Sequence, residues 1–196
     1  MVSKKRVHRS NFPAAIFLTV LLMLVSRVSP VSAQDPLPPL HVSVGLKAPD
    51  FELPAANGST LKLSDLAGHN VLIDFYRGYW SAYCMAELGE FVKHAKELKA
   101  MDVRILGVSA DPPEKALVAQ VVLRAPFPIL SDSQHQVMTI YGTDSSIDKG
   151  LDGEPVNVPT LILIDKTGTI RWIHQASDIK VRLPFSEVLA PARKLK

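Results

Sequence analysis

The stretch Val71-Leu-Ile-Asp-Phe-Tyr-Arg-Gly-Tyr-Trp-Ser-Ala-Tyr-Cys-Met-Ala-Glu-Leu88 decides how this 196-residue chain folds. Residues 71–75 form an almost continuous apolar run, typical of a strand buried on both faces of an α/β sheet. After a loop with one glycine, apolar residues recur at three- and four-residue steps from Met85 to Leu98. That spacing predicts an amphipathic helix. The only cysteine of the chain, Cys84, stands where this helix begins.

The position of Cys84 favours a reactive thiol. At a helix N-terminus the backbone N–H groups are unpaired and the helix dipole is positive, so both favour thiolate over thiol. The alternative is a structural cysteine, because free cysteines are among the most buried residues. A single cysteine cannot form an internal disulfide, and an unpaired thiol is a liability in an oxidising compartment unless it is used. We therefore expect Cys84 to be a nucleophile that a substrate can reach.

The first 33 residues have the pattern of a secretory signal peptide. A basic head with four Lys and Arg residues precedes the uncharged run 10–26, and Val31-Ser-Ala33 offers small residues for cleavage. The alternative is an uncleaved membrane anchor, although the run is shorter than the roughly 20 residues of a spanning helix. We expect a protein exported to the periplasm or the extracellular space, with the membrane-anchored form as the alternative.

The basic character of the chain belongs to this N-terminal segment. Residues 1–33 hold five of the 22 basic residues and no acidic one, so the remainder carries 17 Lys and Arg against 19 Asp and Glu. This composition gives no argument for nucleic acid as a partner. Residues 34–44 are Pro-rich and predict an extended linker, and residues 45–196 have the length of one domain.

The remaining sequence alternates between strand and helix patterns. Asn57-Gly58 between two short alternating runs predicts a hairpin. Apolar strands are predicted at 103–109, 127–130 and 160–164, the last continuing into a hairpin that ends at 174. Helices are predicted between these strands and at 185–195, whereas 150–157 is predicted to be a loop. The order predicts an α/β fold with a mixed sheet and helices on both faces.

The cysteine loop resembles the peroxidatic motif of peroxiredoxins, the AhpC/TSA family. This motif is usually written Pro-x-x-x-Thr/Ser-x-x-Cys followed by x-x-Glu-Leu, and Ser81, Cys84 and Glu87 fall on its positions. Segments 47–51, 128–132 and 159–165 are also similar to segments of that family. The resemblance covers roughly residues 45–172.

The resemblance implies a thioredoxin-like fold in which Cys84 attacks a peroxide oxygen and becomes a sulfenic acid. Ser81 stands three residues before the cysteine, so its hydroxyl can reach the sulfur or the peroxide in a tight turn. Arg77 can stabilise the thiolate and the leaving oxygen. The other residues expected to line the site are Tyr76, Trp80, Glu87, Pro159 and Thr160.

Two positions depart from the family pattern. Arg77 replaces the usual proline, and Val158 replaces the arginine usually found two residues before Thr160. Either Arg77 supplies the missing positive charge from the other side of the site, or the peroxidatic site is weakened. The run Val158-Pro-Thr160 is instead similar to the cis-proline loop of thioredoxins, which makes a cis bond at Pro159 plausible.

Residues 80–84 also resemble a thioredoxin Trp-Cys-x-x-Cys box in which Ser81 replaces the first cysteine. In thioredoxins that first cysteine is the attacking one, so its replacement favours a peroxidase over a disulfide reductase. Asp74, inside the apolar strand, is a candidate buried acid near the thiol, with a raised pKa.

The single cysteine also predicts the reaction cycle. With no second cysteine to resolve a sulfenic acid within the chain, reduction needs an external thiol or a thioredoxin-like protein. We expect a peroxide substrate, no cofactor, no metal and, as a further partner, a second copy in a homodimer. The alternatives are a thioredoxin-fold binding or chaperone-like module with an unused thiol, and a monothiol disulfide-exchange protein.

Overall fold

The computed structural model of the protein describes residues 37–195, apart from the side chains of 146 and 147. The predicted signal peptide, residues 1–33, and the start of the predicted linker lie outside the described residues. Within 37–195, every helix is too short or too polar to span a lipid bilayer.

The described chain alternates strands and helices. In chain order they are β1 (Glu52–Pro54), β2 (Thr60–Lys62), a 3₁₀ turn (Leu63–Leu66), β3 (Asn70–Phe75), α1 (Ala82–Ala100), β4 (Val103–Ser109), α2 (Pro113–Leu123), β5 (Ile129–Ser131), α3 (Gln136–Tyr141), β6 (Asp144–Lys149), β7 (Pro155–Asn157), β8 (Thr160–Ile164), β9 (Ile170–Gln175), α4 (Phe185–Ala192) and a final 3₁₀ turn (Arg193–Leu195).

A five-stranded mixed sheet forms the centre, in the order β5-β4-β3-β8-β9. Strands β3, β4 and β5 run parallel, whereas β8 is antiparallel to β3 and to β9. All six residues of β3 are buried, as the apolar run predicted. This arrangement confirms the predicted thioredoxin-like α/β fold.

The two faces of the sheet bury two different cores. The first core contains residues of α1, α2 and α4, and Leu72 of β3 points into it. The second contains residues of the β1–β2 hairpin and α3, together with Val71, Ile73 and Phe75. Because successive side chains of a strand point to opposite faces, Asp74 shares the face of Leu72, beneath α1.

Two expectations about loops need correction. Residues 155–157, predicted to be loop, form β7 and pair antiparallel with β6. These strands are short and polar, so they carry none of the apolar alternation by which strands are recognised.

The end of the predicted linker is also part of the domain. Val42 is buried in the second core, and the His41 backbone N–H donates to the Tyr141 carbonyl at 3.0 Å.

Gly142, which ends α3, lies against the end of the predicted linker. A substitution at Gly142 therefore shows how much this contact contributes to the stability of the domain. Its φ is +72°, and an added Cβ would stand 2.6 Å from the His41 nitrogen. Gly58, at φ +84°, has nothing within 4 Å of an added Cβ. Backbone strain of about 1–2 kcal/mol is common to Gly142→Ala and Gly58→Ala.

We expect Gly142→Ala to lower the free energy of unfolding by at least about 1 kcal/mol more than Gly58→Ala, because only Gly142→Ala displaces residues 39–41. Urea titration of both variants measures the difference. Equal losses would show that the linker end contributes nothing to stability.

Candidate active site

Hydrogen bonds to β4, to β7 and to the segment before α2 hold the loop that leads from β3 to α1. The Tyr76 N–H donates to the Val108 carbonyl at 3.0 Å, and the Asn157 side-chain amide donates to the Tyr76 carbonyl at 3.2 Å. The Tyr79 N–H donates to the Asp111 carboxylate at 2.8 Å, as does the Ser109 hydroxyl at 2.9 Å. Asp111 therefore fixes the cysteine loop.

Cys84 lies in the first turn of α1, and its sulfur contacts an arginine. The Arg182 guanidinium donates from Nη2 to Cys84 Sγ at 3.0 Å. Its Nη1 donates to the carbonyls of Ile179 and Val181 at 2.8 and 2.9 Å. The segment between β9 and α4 thus holds the guanidinium in place before any substrate arrives.

Glu87, one turn along α1 from Cys84, is the second side chain that contacts Arg182. Its Oε2 lies 3.0 Å from Arg182 Nε. Burial raises the pKa of Glu87 to about 7, while the positive charge of Arg182 acts to lower it. Arg182 therefore stands between the Cys84 sulfur and the Glu87 carboxyl group, and its charge favours the negative form of Glu87.

Asp74 adds a second buried acid on the same face of the sheet. It is 0% exposed, and neither of its side-chain oxygens has a hydrogen-bond partner among the described residues. Burial raises its pKa well above the usual range; the charge of Glu87 raises it further, and that of Arg182 lowers it. Asp74 is thus held as a neutral acid under conditions in which an exposed aspartate is charged.

The structure places a different arginine on the sulfur from the one that the sequence suggested. The Arg77 guanidinium lies over the ring of Trp80, 4.9 Å from its centroid, and 3.5 Å from Asp148 Oδ1. Among residues 37–195, the arginine that hydrogen-bonds to Cys84 is Arg182. Within residues 37–195 no hydrogen bond joins Arg77 to Cys84, and the role of Arg77 beside the sulfur stays a prediction.

The other predicted site residues are near the cysteine loop but differ in what they do. Ser81 precedes α1, and its carbonyl accepts from the Met85 N–H at 2.9 Å, but no described hydrogen bond joins its hydroxyl to Cys84. Tyr76 is fully buried in the first core rather than lining an opening.

The predicted site residues before β8 hydrogen-bond locally. The Thr160 hydroxyl donates to the Val158 carbonyl at 2.8 Å. The described chain has no cis peptide bond, so Pro159 is trans.

The sulfur is more enclosed than expected. We expected Cys84 to be reachable, yet it is 0% exposed and belongs to the first core. A cavity of about 240 Å³ lies next to the groups that hold it, since Glu87 and Arg182 are part of its lining. The rest of the lining is largely apolar and includes Phe91 and Phe185. Cys84 itself is not among the residues that line this cavity.

Sequence analysis missed Arg182 because nothing in its neighbourhood marks it. It is 98 residues from Cys84 along the chain and precedes a short helix in a segment without a motif. For the metal prediction, residues 37–195 contain no cluster of His, Cys, Asp and Glu side chains suited to an ion.

A cysteine in the first turn of the helix after the central strand, with a guanidinium at 3.0 Å from its sulfur, has the electropositive surroundings typical of a thiol-dependent oxidoreductase. Comparison with protein families goes one step further. The AhpC/TSA family matches residues 44–173, more than half of the chain, so the chain belongs to this family. This confirms the resemblance noted in the cysteine motif.

Individual relatives agree with the family. The chain is 30% identical to peroxiredoxin Bcp of Bacillus subtilis over 151 residues, which are 76% of this chain and 94% of that protein. It is 29% identical to the putative peroxiredoxin Rv2521 of Mycobacterium tuberculosis, over 66% of this chain and 83% of that one. The crystal structure of peroxidoxin BcpB from M. tuberculosis aligns with a TM-score of 0.69 at 27% identity, covering 80% and 99% of the two chains. The chain is therefore an oxidoreductase of the peroxiredoxin type.

The buried acids predict an unusual dependence of stability on pH. Because the folded-state pKa values of Asp74 and Glu87 are raised, the native chain holds protons that the unfolded chain releases above about pH 4.5. Stability is therefore lost as the pH rises from about 4.5 towards 7, by at most about 1.4 kcal/mol per pH unit for each group.

We expect Asp74→Asn to reduce this loss, measured as the free energy of unfolding in urea at pH 5 and pH 7. Asp65→Asn, at an exposed position of the first 3₁₀ turn, is the control and should keep the wild-type slope. A wild-type stability that rises over this range would contradict the assignment.

Proposed function

We propose that this protein is an exported one-cysteine peroxidase in which Cys84 reduces hydrogen peroxide or an organic hydroperoxide. The observation that carries the proposal is the 3.0 Å contact between Arg182 Nη2 and Cys84 Sγ, in a chain of the AhpC/TSA family. A guanidinium at this place stabilises the thiolate before the reaction and the negative oxygen that leaves during it.

The chemical step is a displacement at oxygen. The Cys84 thiolate attacks the terminal peroxide oxygen, so an S–O bond forms as the O–O bond breaks. The electron pair of the broken bond goes to the leaving oxygen, which takes a proton and departs as water or an alcohol. Cys84 becomes a sulfenic acid, so the sulfur is oxidised and the peroxide reduced.

Recycling needs a thiol from outside the chain, because Cys84 is its only cysteine. A first external thiol attacks the sulfenic sulfur and releases water, leaving a mixed disulfide. A second thiol then releases Cys84 as thiolate and leaves with the first as a disulfide. Low-molecular-weight thiols and thioredoxin-like proteins both fit this role.

The buried sulfur sets a condition on this cycle. Since Cys84 has no exposed surface, we propose that peroxide enters through the cavity lined by Glu87, Arg182 and Phe185. The segment that carries Arg182 has to shift for the larger reductant. The same burial favours a second candidate, a thioredoxin-fold binding module whose thiol does not react.

Export is proposed from the pattern of residues 1–33. A basic head, an uncharged run and small residues at 31–33 support cleavage and release. An uncleaved anchor would keep the same domain on the outer side of a membrane.

The first experiment separates the peroxidase from the binding module. We expect purified protein treated with micromolar hydrogen peroxide to gain one oxygen on Cys84 within minutes, detected by mass spectrometry after trapping with dimedone. Cys84→Ser should show no such product. A thiol that stays reduced under these conditions would support the binding module. A mixed disulfide formed with an oxidised thiol, without peroxide, would indicate monothiol exchange.

The second experiment compares two arginines that are buried to the same degree. The side chains of Arg182 and Arg77 are each 12% exposed, and each lies within 4 Å of one carboxylate. We expect Arg182→Met to lower the second-order rate of Cys84 oxidation by about 10²-fold, because it removes the donor to the sulfur. Arg77→Met should change that rate by no more than about threefold.

Stopped-flow measurement with excess peroxide gives both rates. A larger loss in Arg77→Met than in Arg182→Met would reverse the assignment and restore the role that the sequence first suggested for Arg77.

A further inference from the structure

The central sheet has an open edge on the first half of β4. Strand β4 is seven residues long, whereas its outer neighbour β5 has three residues and pairs only with residues 107–109. The chain before β5 cannot extend this pairing, because Pro126 and Pro128 have no backbone N–H to donate. Within residues 37–195, the outer edge of residues 103–106 is therefore left without a neighbouring strand.

The backbone groups that this edge presents belong to Val103 and Ile105. In the parallel ladder with β5, the Gly107 N–H donates to the Pro128 carbonyl at 3.0 Å. Because the backbone groups of alternate residues point to the same side of a strand, those of Val103 and Ile105 point to the same side as those of Gly107. Neither residue is joined by a described hydrogen bond to β5 or to the segment before it. Two donors and two acceptors of β4 are thus available to a further strand.

A cavity of about 480 Å³ lies along this open edge. Its walls come from both faces of the sheet, since Val92 and Val103 belong to the side of the first core and Leu61 and Leu106 to the side of the second. A space that is lined by residues on both faces of a strand passes the edge between them. Its volume and its largely apolar lining are those of a binding site.

The charged residues that line the cavity are all basic. They are Lys96, Lys99 and Arg104, and the lining includes no Asp or Glu. Both lysines are exposed, and the ion pairs that α1 forms involve other residues of the helix. The positive charge beside the open edge therefore favours an anionic partner.

We propose that this cavity binds an extended peptide segment of another protein, apolar in its middle and acidic at its ends, which joins the sheet as a strand beside residues 103–106. Its backbone pairs with Val103 and Ile105, as in other cases of strand addition to a sheet edge. Its successive side chains enter the two sides of the cavity alternately. Its acidic ends lie near Lys96 and Lys99.

Other occupants fit fewer of these features. A second copy of this chain would bring the same three cations against their equals, and lysines at a sheet edge oppose such pairing. Residues 1–33 hold five basic residues and no acidic one, so the N-terminal segment meets the same repulsion. A fatty acid matches the apolar walls and the positive charge, but its chain leaves the backbone groups of the edge unpaired.

The proposed docking site lies at the other end of the central strands from the cysteine loop. Residues 103–106 pair with residues 70–73, the beginning of β3, whereas the loop to Cys84 follows the end of β3. A docked partner therefore leaves the cysteine loop uncovered. The inference does not depend on the peroxidase proposal, because binding is measured without any reaction.

Fluorescence anisotropy with a defined probe tests the proposal. The probe is the fluorescein-labelled peptide Glu-Asp-Val-Val-Val-Val-Asp-Glu, added to the purified full-length protein. We expect saturable binding, and we expect the double variant Lys96→Glu with Lys99→Glu to raise the dissociation constant at least tenfold. Lys93→Glu is the control, because Lys93 is an exposed lysine of the same helix outside the cavity lining. It should change the constant by less than about threefold.

A second probe tests whether the peptide pairs with the strand edge. Methylation of the four valine nitrogens removes the backbone donors and keeps the charge and the apolar side chains, so this probe should bind the wild-type protein at least tenfold more weakly. The absence of binding up to millimolar protein would overturn the proposal, as would an equal loss in Lys93→Glu. Equal binding of the two probes, both displaced by decanoate, would assign the cavity to a small amphipathic anion instead.

Discussion

The rest of the site depends on one buried guanidinium. Arg182 donates to two backbone carbonyls and to the Cys84 sulfur, and it lies beside the Glu87 carboxylate. A buried charge is tolerated only where such partners replace its hydration. Helix α1 and the segment before α4 therefore meet around a single cation. Removing any of these partners leaves a charge that the surrounding apolar core cannot stabilise.

The cysteine loop shows the same dependence on groups that are distant along the chain. Asp111 holds the Tyr79 N–H, and Asn157 holds the Tyr76 carbonyl. Burial raises the pKa of Asp111, although hydrogen bonds from Tyr79 and Ser109 act to lower it. These contacts place Cys84 at the beginning of α1 with little freedom, so the geometry of the sulfur is set by the scaffold.

The sequence predicted the parts of this protein that follow local patterns. The apolar run of β3 and the periodicity of α1 were sufficient for the central strand, the main helix and the place of Cys84 in its first turn. Arg182 could not be predicted, because its contact with Cys84 depends on how two remote segments pack. The β6–β7 hairpin has no apolar alternation, and the burial of Cys84 depends on what the segment before α4 covers. A positive charge at the site was expected from Arg77, whereas the arginine that hydrogen-bonds to the sulfur is Arg182.

The contact of Arg182 with both the Cys84 sulfur and the Glu87 carboxyl group has a consequence for the proposed cycle. In that cycle the anionic thiolate becomes a neutral sulfenic acid, so the guanidinium loses one of its two acidic partners. We expect the segment that carries Arg182 to be held less tightly in the sulfenic acid form, which would open the enclosure around Cys84 to a bulky reductant.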